Sequence, residues 1–88
     1  MRKHVATSNT DDFELRYYET KGQCENGGAV FYGIFVEKYI NGNLVEEMES
    51  GPIAEDSSQI LEIMSKLSEN SVTPFALCEI LDEMEMFS

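Results

Sequence analysis

AVFYGIFVEKYI, residues 29–40, is the stretch that decides the fold of this chain. Successive side chains of an extended strand point to opposite faces, and this stretch carries apolar side chains on both of them. One face would hold Val30, Tyr32, Ile34 and Val36, and the other Phe31, Phe35 and Tyr39. We therefore predict a central β-strand here. Gly33 in its middle indicates close approach of another backbone, a β-bulge, or a large side chain packed across it.

The segments on either side of this strand predict an antiparallel meander. Residues 13–20 (FELRYYET) alternate between apolar and polar, as in a half-buried strand, and the glycine-rich residues 21–28 should form a loop. Asn41-Gly42 is a strong hairpin signal that leads into a return strand over residues 44–49. Ser50-Gly51-Pro52 should end the sheet, because proline cannot donate to a strand ladder. The expected sheet therefore has three strands.

Two registers are open for the hairpin at Asn41-Gly42. A two-residue turn would place Tyr39 opposite Leu44 and would also set Glu37 opposite Glu46, and like charges at directly opposed positions are destabilising. A bulged three-residue loop instead aligns Leu44 with the aliphatic face of the central strand. We prefer this second register, because it gathers the aliphatic side chains on one core face. That face comprises Val30, Tyr32, Ile34, Val36, Leu44 and Met48.

Two helices should follow the sheet and pack on it, which makes the fold class α+β. Asp56 and Gln59 have the spacing of a capping box, and apolar residues then recur at helical intervals. We predict a helix over residues 57–69 that closes near Asn70, a residue type that tolerates the left-handed cap conformation. Thr73-Pro74 should begin the second helix, since threonine is a good N-cap and proline suits the first helical position.

Residues 1–12 should form a flexible N-terminal arm ahead of a single α+β domain over residues 13–86. Val5 and Ala6 are the only apolar residues in the interior of this arm, which ends in a polar run. At most, a short edge strand is expected over residues 4–7. The sole histidine of the chain, His4, lies in this arm, and we expect a solvated side chain rather than a catalytic one.

The net charge of -11 comes from one part of the chain. Residues 1–22 are balanced, whereas thirteen acids from residue 23 onward face only Lys38 and Lys66. A field of this sign repels nucleic acid phosphates and anionic lipid headgroups, so we expect neither nucleic acid nor a membrane as a partner. With no signal-peptide pattern and no apolar run of spanning length, we expect a cytoplasmic protein.

The residue pattern predicts no catalytic, cofactor or metal site. Cys24 and Cys78 lie far apart, with no CxxC pair and one histidine, which is not a metal-ligand pattern, and we expect two free thiols. The Gly27-Gly28 pair lacks the spacing of a phosphate-binding loop. Adjacent acids such as Glu46-Glu47 point in different directions on a strand and do not build an acid/base pair. We expect a chain that is not an enzyme.

One set of residues and motifs, together with an acidic return strand, carries a resemblance to a known family. These are Tyr32-Gly33-Ile34, Ile53, Asp56, Thr73-Pro74, Leu77 and Ile80-Leu81-Asp82. In these residues and in the order of its elements, the chain resembles a small family of uncharacterised proteins from Gram-positive, mostly clostridial, bacteria, grouped as a domain of unknown function. The resemblance covers about residues 13–84. None of its motifs is catalytic, so it implies the fold and a cytoplasmic setting but no activity.

The predicted function is that of a small non-enzymatic protein-interaction or self-association module. In the preferred register, Phe31, Phe35 and Tyr39 form an aromatic row on the face away from the helices, bordered by Val45. An uncovered row of this kind marks an interface with a protein partner or a second copy. The helices could instead cover that face, or one helix could lie on each face, and either arrangement would make the row part of the core. The alternative function is an acidic nucleic-acid mimic that docks on a basic protein.

Overall fold

A computed structural model of the chain describes residues 2–23 and 30–84. Four strands are followed by two helices, so the α+β class is confirmed, with four strands in place of the expected three. The strands pair in the order β1-β2-β3-β4, and each pair is antiparallel. The elements are β1 (Arg2–Asn9), β2 (Glu14–Gln23), β3 (Val30–Ile40), β4 (Asn43–Ala54), α1 (Ser57–Glu69) and α2 (Pro74–Met84).

Strand β1 occupies most of the segment predicted as an arm, and it is longer than the short edge strand allowed for there. It pairs with β2 from Arg2 opposite Thr20 to Asn9 opposite Glu14, with a bulge at Val5. An edge strand needs few apolar side chains, because its backbone hydrogen bonds come from one neighbouring strand and only one of its faces packs against the core. Val5 and Ala6 are enough here, because both pack against the core.

The β3–β4 hairpin combines features of both registers considered for it. Asn41 and Gly42 have φ values of 53° and 82°, as a two-residue type I′ turn requires, and Tyr39 lies opposite Leu44. The preferred three-residue loop is therefore wrong. A bulge one residue further on shifts the register, so that Val36 pairs with Met48 as the preferred register has it. Leu44 thus lies on the face of Tyr39 rather than on the predicted core face.

Strand β4 does not end at Ser50-Gly51-Pro52 but continues to Ala54. Proline is tolerated because β4 is an edge strand and is irregular at this point. The Ser50 hydroxyl accepts a hydrogen bond from the Ile34 N–H (2.9 Å) and so replaces a missing ladder partner. Gly33 faces this irregularity, where a Cβ would overlap the Gly51 carbonyl oxygen and lie 2.8 Å from Thr20 Oγ1. Close backbone approach at a bulge therefore explains this glycine.

Both helices begin at the residues that the sequence predicts. The Asp56 carboxylate accepts from the Ser58 N–H (2.9 Å) and caps α1, and this hydrogen bond holds the pKa of Asp56 below its usual value. At the other end of α1, Ser71 and not Asn70 adopts the left-handed conformation, with φ 49°. The Val72 N–H donates to the Leu67 carbonyl (3.0 Å), as in a Schellman motif.

The core lies between one sheet face and the two helices. The buried aliphatic residues of β3 meet the apolar stripes of the helices, and Tyr17 of β2 extends across to the turn between them. The Tyr17 hydroxyl donates a hydrogen bond to the Val72 carbonyl oxygen (2.8 Å) and lies 3.3 Å from the Leu67 carbonyl oxygen. The buried cluster comprises Leu15, Tyr17, Ile34, Val36, Ile60, Ile63, Met64, Leu67, Val72 and Leu77.

Candidate protein-interaction surface

The other sheet face, which we call the open face, carries the aromatic row predicted from the sequence. The register of β2 with β3 sets Phe35 opposite Tyr18 and Tyr39 opposite Glu14, on the side away from Ile34 and Val36. Yet Phe35 is only 4% exposed. The row is thus covered in part by other side chains of the same sheet.

Phe35 is buried by amphipathic neighbours on the open face. The Arg2 guanidinium stacks over its ring at 3.9 Å from the centroid, and the Tyr18 ring lies beside it at 5.9 Å. His4 packs against the far side of Tyr18, with a centroid separation of 5.4 Å. A cation over an aromatic face is attracted by the ring quadrupole while its stem covers apolar surface. The first groups that a partner meets above Phe35 are therefore polar.

Tyr39 lies at the other end of the row and has a similar cover. The Arg16 guanidinium sits over its ring at 4.2 Å, and Arg16 is held in turn by an ion pair with Glu14. The Tyr39 hydroxyl donates a hydrogen bond to the nearly buried Glu37 carboxylate (3.0 Å). Glu37 lies opposite Glu47 of β4, so this bond gives it a partner beside a like charge. Burial, followed by the neighbouring Glu37, raises the pKa of Tyr39 above its ordinary value. This network is fully engaged within the chain.

Phe31, at the start of β3, is half-buried and lines a shallow groove of about 460 Å³ with Pro52 and Ile53 of β4. Val45, the fourth predicted interface residue, lies at the bulge of β4 and is 52% exposed. The four predicted residues are therefore not brought together into one bare strip. Val45 belongs to a different surface, at the edge of the sheet.

This surface, which we call the β4 border, contains most of the exposed large apolar side chains in the described part of the chain. Leu44, Val45, Met48 and Ile53 project from β4, and Phe75 at the start of α2 is 80% exposed. Outside the border, Leu61 on α1 and Ile40 at the hairpin are the other large apolar side chains exposed among the described residues. Exposed apolar side chains scattered singly are normal, whereas a concentration on one edge indicates a contact surface.

A hydrogen bond joins the two elements of the β4 border. The Phe75 backbone N–H donates to Glu46 Oε1 of β4 (3.0 Å). This N–H belongs to the first turn of α2, where it has no partner within the helix, and a carboxylate at a helix N-terminus is favoured by the helix dipole. Glu46 therefore fixes the start of α2 against β4 and places Phe75 beside the strand.

The two edges of the sheet differ in charge. Strand β1 carries Arg2, Lys3 and His4 and no acid, whereas β4 carries Glu46, Glu47 and Glu49 and no base. Within the described residues, neither strand pairs with another on its outer side. Unpaired edge strands present free N–H and C=O groups to solvent, so both edges can accept a further strand.

The described residues show little that resembles a catalytic or metal centre. Over residues 2–23 and 30–84, no three His, Cys, Asp or Glu side chains are placed to hold a metal ion. The nearly buried Glu19 accepts from the Ser57 hydroxyl (2.6 Å), so a partner on α1 satisfies it. His4 is hydrogen-bonded to Thr7 (2.7 Å). Cys24, the Gly27-Gly28 pair and the residues after Met84 lie outside the described residues.

Of the five members of the β4 border, Val45 alone was predicted as an interface residue. Leu44 and Met48 were expected on the core face, and no surface position was predicted for Phe75 and Ile53. Phe75 does not lie on the apolar stripe of α2 that Leu77, Ile80 and Leu81 form, and a position off this stripe indicates an exposed side chain. Ile53 follows Gly51-Pro52, which were expected to end the sheet. Its inclusion in β4 depends on the irregular pairing around Gly33, which the sequence signals through this glycine without showing that β4 continues past Pro52.

A family model, DUF6514, described as a family of unknown function, matches residues 1–85 of the chain. Comparisons with curated proteins and with solved structures find no match. No helix in the described part of the chain has the length and apolar character needed to cross a membrane.

Proposed function

The chain belongs to the DUF6514 family, and from this premise we propose that it is a small non-enzymatic protein-interaction module. Its contact surface is the outer edge of β4 together with the β4 border. A partner adds an extended segment to this edge, and its side chains pack on the border residues. The observation that carries the proposal is the concentration of exposed apolar side chains on an unpaired edge strand.

Strand addition at this edge uses two complementary kinds of contact. The free backbone groups of β4 supply hydrogen bonds that do not depend on the partner's sequence, and the alternating side chains supply selectivity. Val45 and Met48 offer apolar contact along the strand, while Phe75 extends the surface beyond it. An aromatic side chain as exposed as Phe75 contributes large apolar area when a partner covers it.

The acids of β4 favour a partner of opposite charge. Glu47 and Glu49 lie on the open face opposite Glu37 and Phe35, and Glu46 lies on the helix face. Carboxylates at the rim of a contact surface steer a basic partner to it and disfavour acidic ones. These acids are interspersed with exposed apolar side chains. As a partner, a basic protein strand therefore suits the β4 edge better than the nucleic-acid-binding site of a basic protein does. The nucleic-acid mimic is thus the less supported function.

The remaining parts of the proposal concern the setting of the module. It acts in the cytoplasm of a Gram-positive, clostridial bacterium, without catalysis and without a cofactor, nucleic acid or membrane partner. These parts follow from the acidic composition and from the sequence resemblance, and the contact surface itself does not depend on them.

Affinity capture from a native cell extract tests the contact surface. The wild-type chain is compared with a Val45→Asp variant, and Leu61→Asp serves as the matched control because Leu61 is a similarly exposed apolar residue outside the border. We expect the wild type and Leu61→Asp to capture the same proteins from the extract, and we expect Val45→Asp to fail to capture some of them. Circular dichroism of all three chains checks that they are folded.

Equal retention by Val45→Asp and the wild type would remove the β4 border from the proposal. A salt step separates its two components, since raising the ionic strength weakens contacts between exposed charges and leaves apolar contacts in place. Partners released by moderate salt from every variant alike would indicate the acidic surface alone and would contradict the role of Val45 and Phe75.

A further inference from the structure

We propose that the strand added to β4 is β1 of a second copy of this chain, so that successive copies extend one continuous antiparallel sheet. The inference rests on the proposed function, because it names the occupant of the same edge. Three observations carry it, namely the direction of the edge strands, their opposite charge, and the side-chain alternation that brings those charges to one face.

The direction of the strands suits this pairing without any rotation of the second copy. The four strands alternate in direction, so β1 and β4 run antiparallel to each other at the two ends of the sheet. Placing a second copy in the same orientation beside the first brings its β1 antiparallel to β4. The helices of both copies then lie on the same side of the extended sheet, and the open faces form one surface.

Charge selects this pairing over the two symmetric alternatives. Pairing β4 with β4 would join two edges whose charged residues are all acids, and pairing β1 with β1 would join two edges whose charged residues are all bases. Like charges directly opposite across strands are destabilising, while opposite charges stabilise the pair. Of the combinations of the two edges, β4 with β1 alone brings acids to bases.

One register brings the opposite charges together on the open face. Arg2 and His4 lie on this face, opposite Thr20 and Tyr18, and so do Glu49 and Glu47 of β4. Within one chain the exposed Arg2 guanidinium stacks over Phe35, so the pairing turns it outward to Glu49 of the neighbouring copy. An antiparallel pair that sets Arg2 opposite Glu49 also sets His4 opposite Glu47. Every second residue of a strand lies on the same face, and the numbering of the two strands runs in opposite directions. The bulges at Val5 and Val45 then fall close together along the shared edge.

The resulting contact is heterologous, since each copy uses a different edge toward each neighbour. Such a contact closes into a ring or continues as an open chain of copies, according to the rotation between neighbours. The mass of the assembly should therefore grow with protein concentration and need not stop at a dimer.

A charge-swap experiment on the purified chain tests the pairing. Light scattering or sedimentation measures the weight-average mass from low micromolar to several hundred micromolar concentration. We expect the wild-type mass to rise above that of one chain. Arg2→Glu and Glu49→Arg should each weaken the association about tenfold or more when alone. Mixing the two variants should restore it, because the unaltered β1 of Glu49→Arg then meets the unaltered β4 of Arg2→Glu, and at the next contact the two reversed charges lie opposite each other.

Two reversals on α1 serve as matched controls. Lys66→Glu and Glu62→Arg change the charge by the same amounts at exposed positions away from both edges, and we expect wild-type association from each. Circular dichroism of every variant confirms folding. The mixture remains decisive even if one variant is less stable, since a general loss of structure would not be repaired by the other variant.

Three outcomes would overturn the inference: a wild type that stays monomeric throughout the range, unchanged association in Arg2→Glu, or a mixture no stronger than its separate components. The second outcome would indicate pairing through β4 alone. A monomeric wild type that still captures Val45-dependent proteins from extract would leave the proposed function standing. Monomeric behaviour with no Val45-dependent capture would remove both.

Discussion

The two faces of the sheet bury their apolar residues by different means. On the helix face, Ile34 and Val36 are enclosed by the apolar stripes of α1 and α2. On the open face, Phe35 reaches nearly the same burial beneath Arg2 and Tyr18, whereas the buried residues of α1 and α2 pack with Ile34 and Val36. An apolar residue on a sheet thus does not require a second layer, because the stems and rings of amphipathic neighbours can cover it. A strand apolar on both faces need not be a strand covered by helices on both faces.

The largest effect should come from truncating a residue on the helix face. Ile34→Ala removes a fully buried side chain from a packed cluster, and we expect the free energy of unfolding to fall by about 2–5 kcal/mol. Urea unfolding followed by circular dichroism measures the loss. Ile53→Ala is the control, since Ile53 is 37% exposed on β4 and should lose much less. Comparable losses in the two variants would contradict the helix-face core.

An intermediate effect should appear at high pH through Tyr17, which also lies on the helix face. Burial raises the pKa of Tyr17 to about 12, from an ordinary value of 10.0 for tyrosine. The unfolded chain therefore loses this proton near pH 10, while the folded chain keeps it. The resulting stability is fully present below pH 10 and is lost as pH rises from 10 to about 12, at about 1.4 kcal/mol per pH unit.

The Tyr17→Phe variant isolates this contribution. Unfolding of the wild type and of the variant is measured over the same alkaline range, and the difference between them cancels the ionisation of the other tyrosines. We expect the difference to shrink as pH rises through the window. A constant difference would show that the Tyr17 hydroxyl ionises equally in the folded and unfolded chains.

The smallest effect should come from the open face. Arg2→Ala removes the cation above Phe35, and exposed cation–π contacts contribute about 0.5–1 kcal/mol. Urea unfolding of Arg2→Ala and of Lys3→Ala, a neighbouring exposed base on the helix face, separates the stacking from a general change of charge. If Lys3→Ala loses as much stability as Arg2→Ala, the Arg2 side chain does not protect Phe35 in solution.

The parts of the fold with a strong periodic pattern were predictable from the sequence. The alternation around Ile34 identifies β3 and its aliphatic face, and the helical spacing after Asp56 identifies α1, because both patterns are local. Strand β1 was harder, since its pairing with β2 depends on backbone groups that every sequence has. The two-residue turn at Asn41-Gly42 places Leu44 away from the core, and the bulge at Val45, for which the sequence gives no signal, shifts the register beyond it.

The candidate surface was less predictable than the fold for the same reason. The exposure of Val45 follows from its position on an edge strand. The spacing of apolar residues does not predict the order of the strands in the sheet. The cover over Phe35 comes from Arg2, which reaches it only because β1 and β2 pair as they do. Residues distant in sequence decide both outcomes, so the alternation along β3 indicates which side chains share a face but not what covers them.

The bond from the Phe75 N–H to Glu46 gives the edge of the sheet a connection to the end of the chain. A strand added to β4 restrains Glu46, and Glu46 holds the first turn of α2. Binding at the edge and ordering of the C-terminal helix are therefore linked free energies, each of which favours the other. Occupancy of the sheet edge by a bound strand would therefore slow the opening of α2.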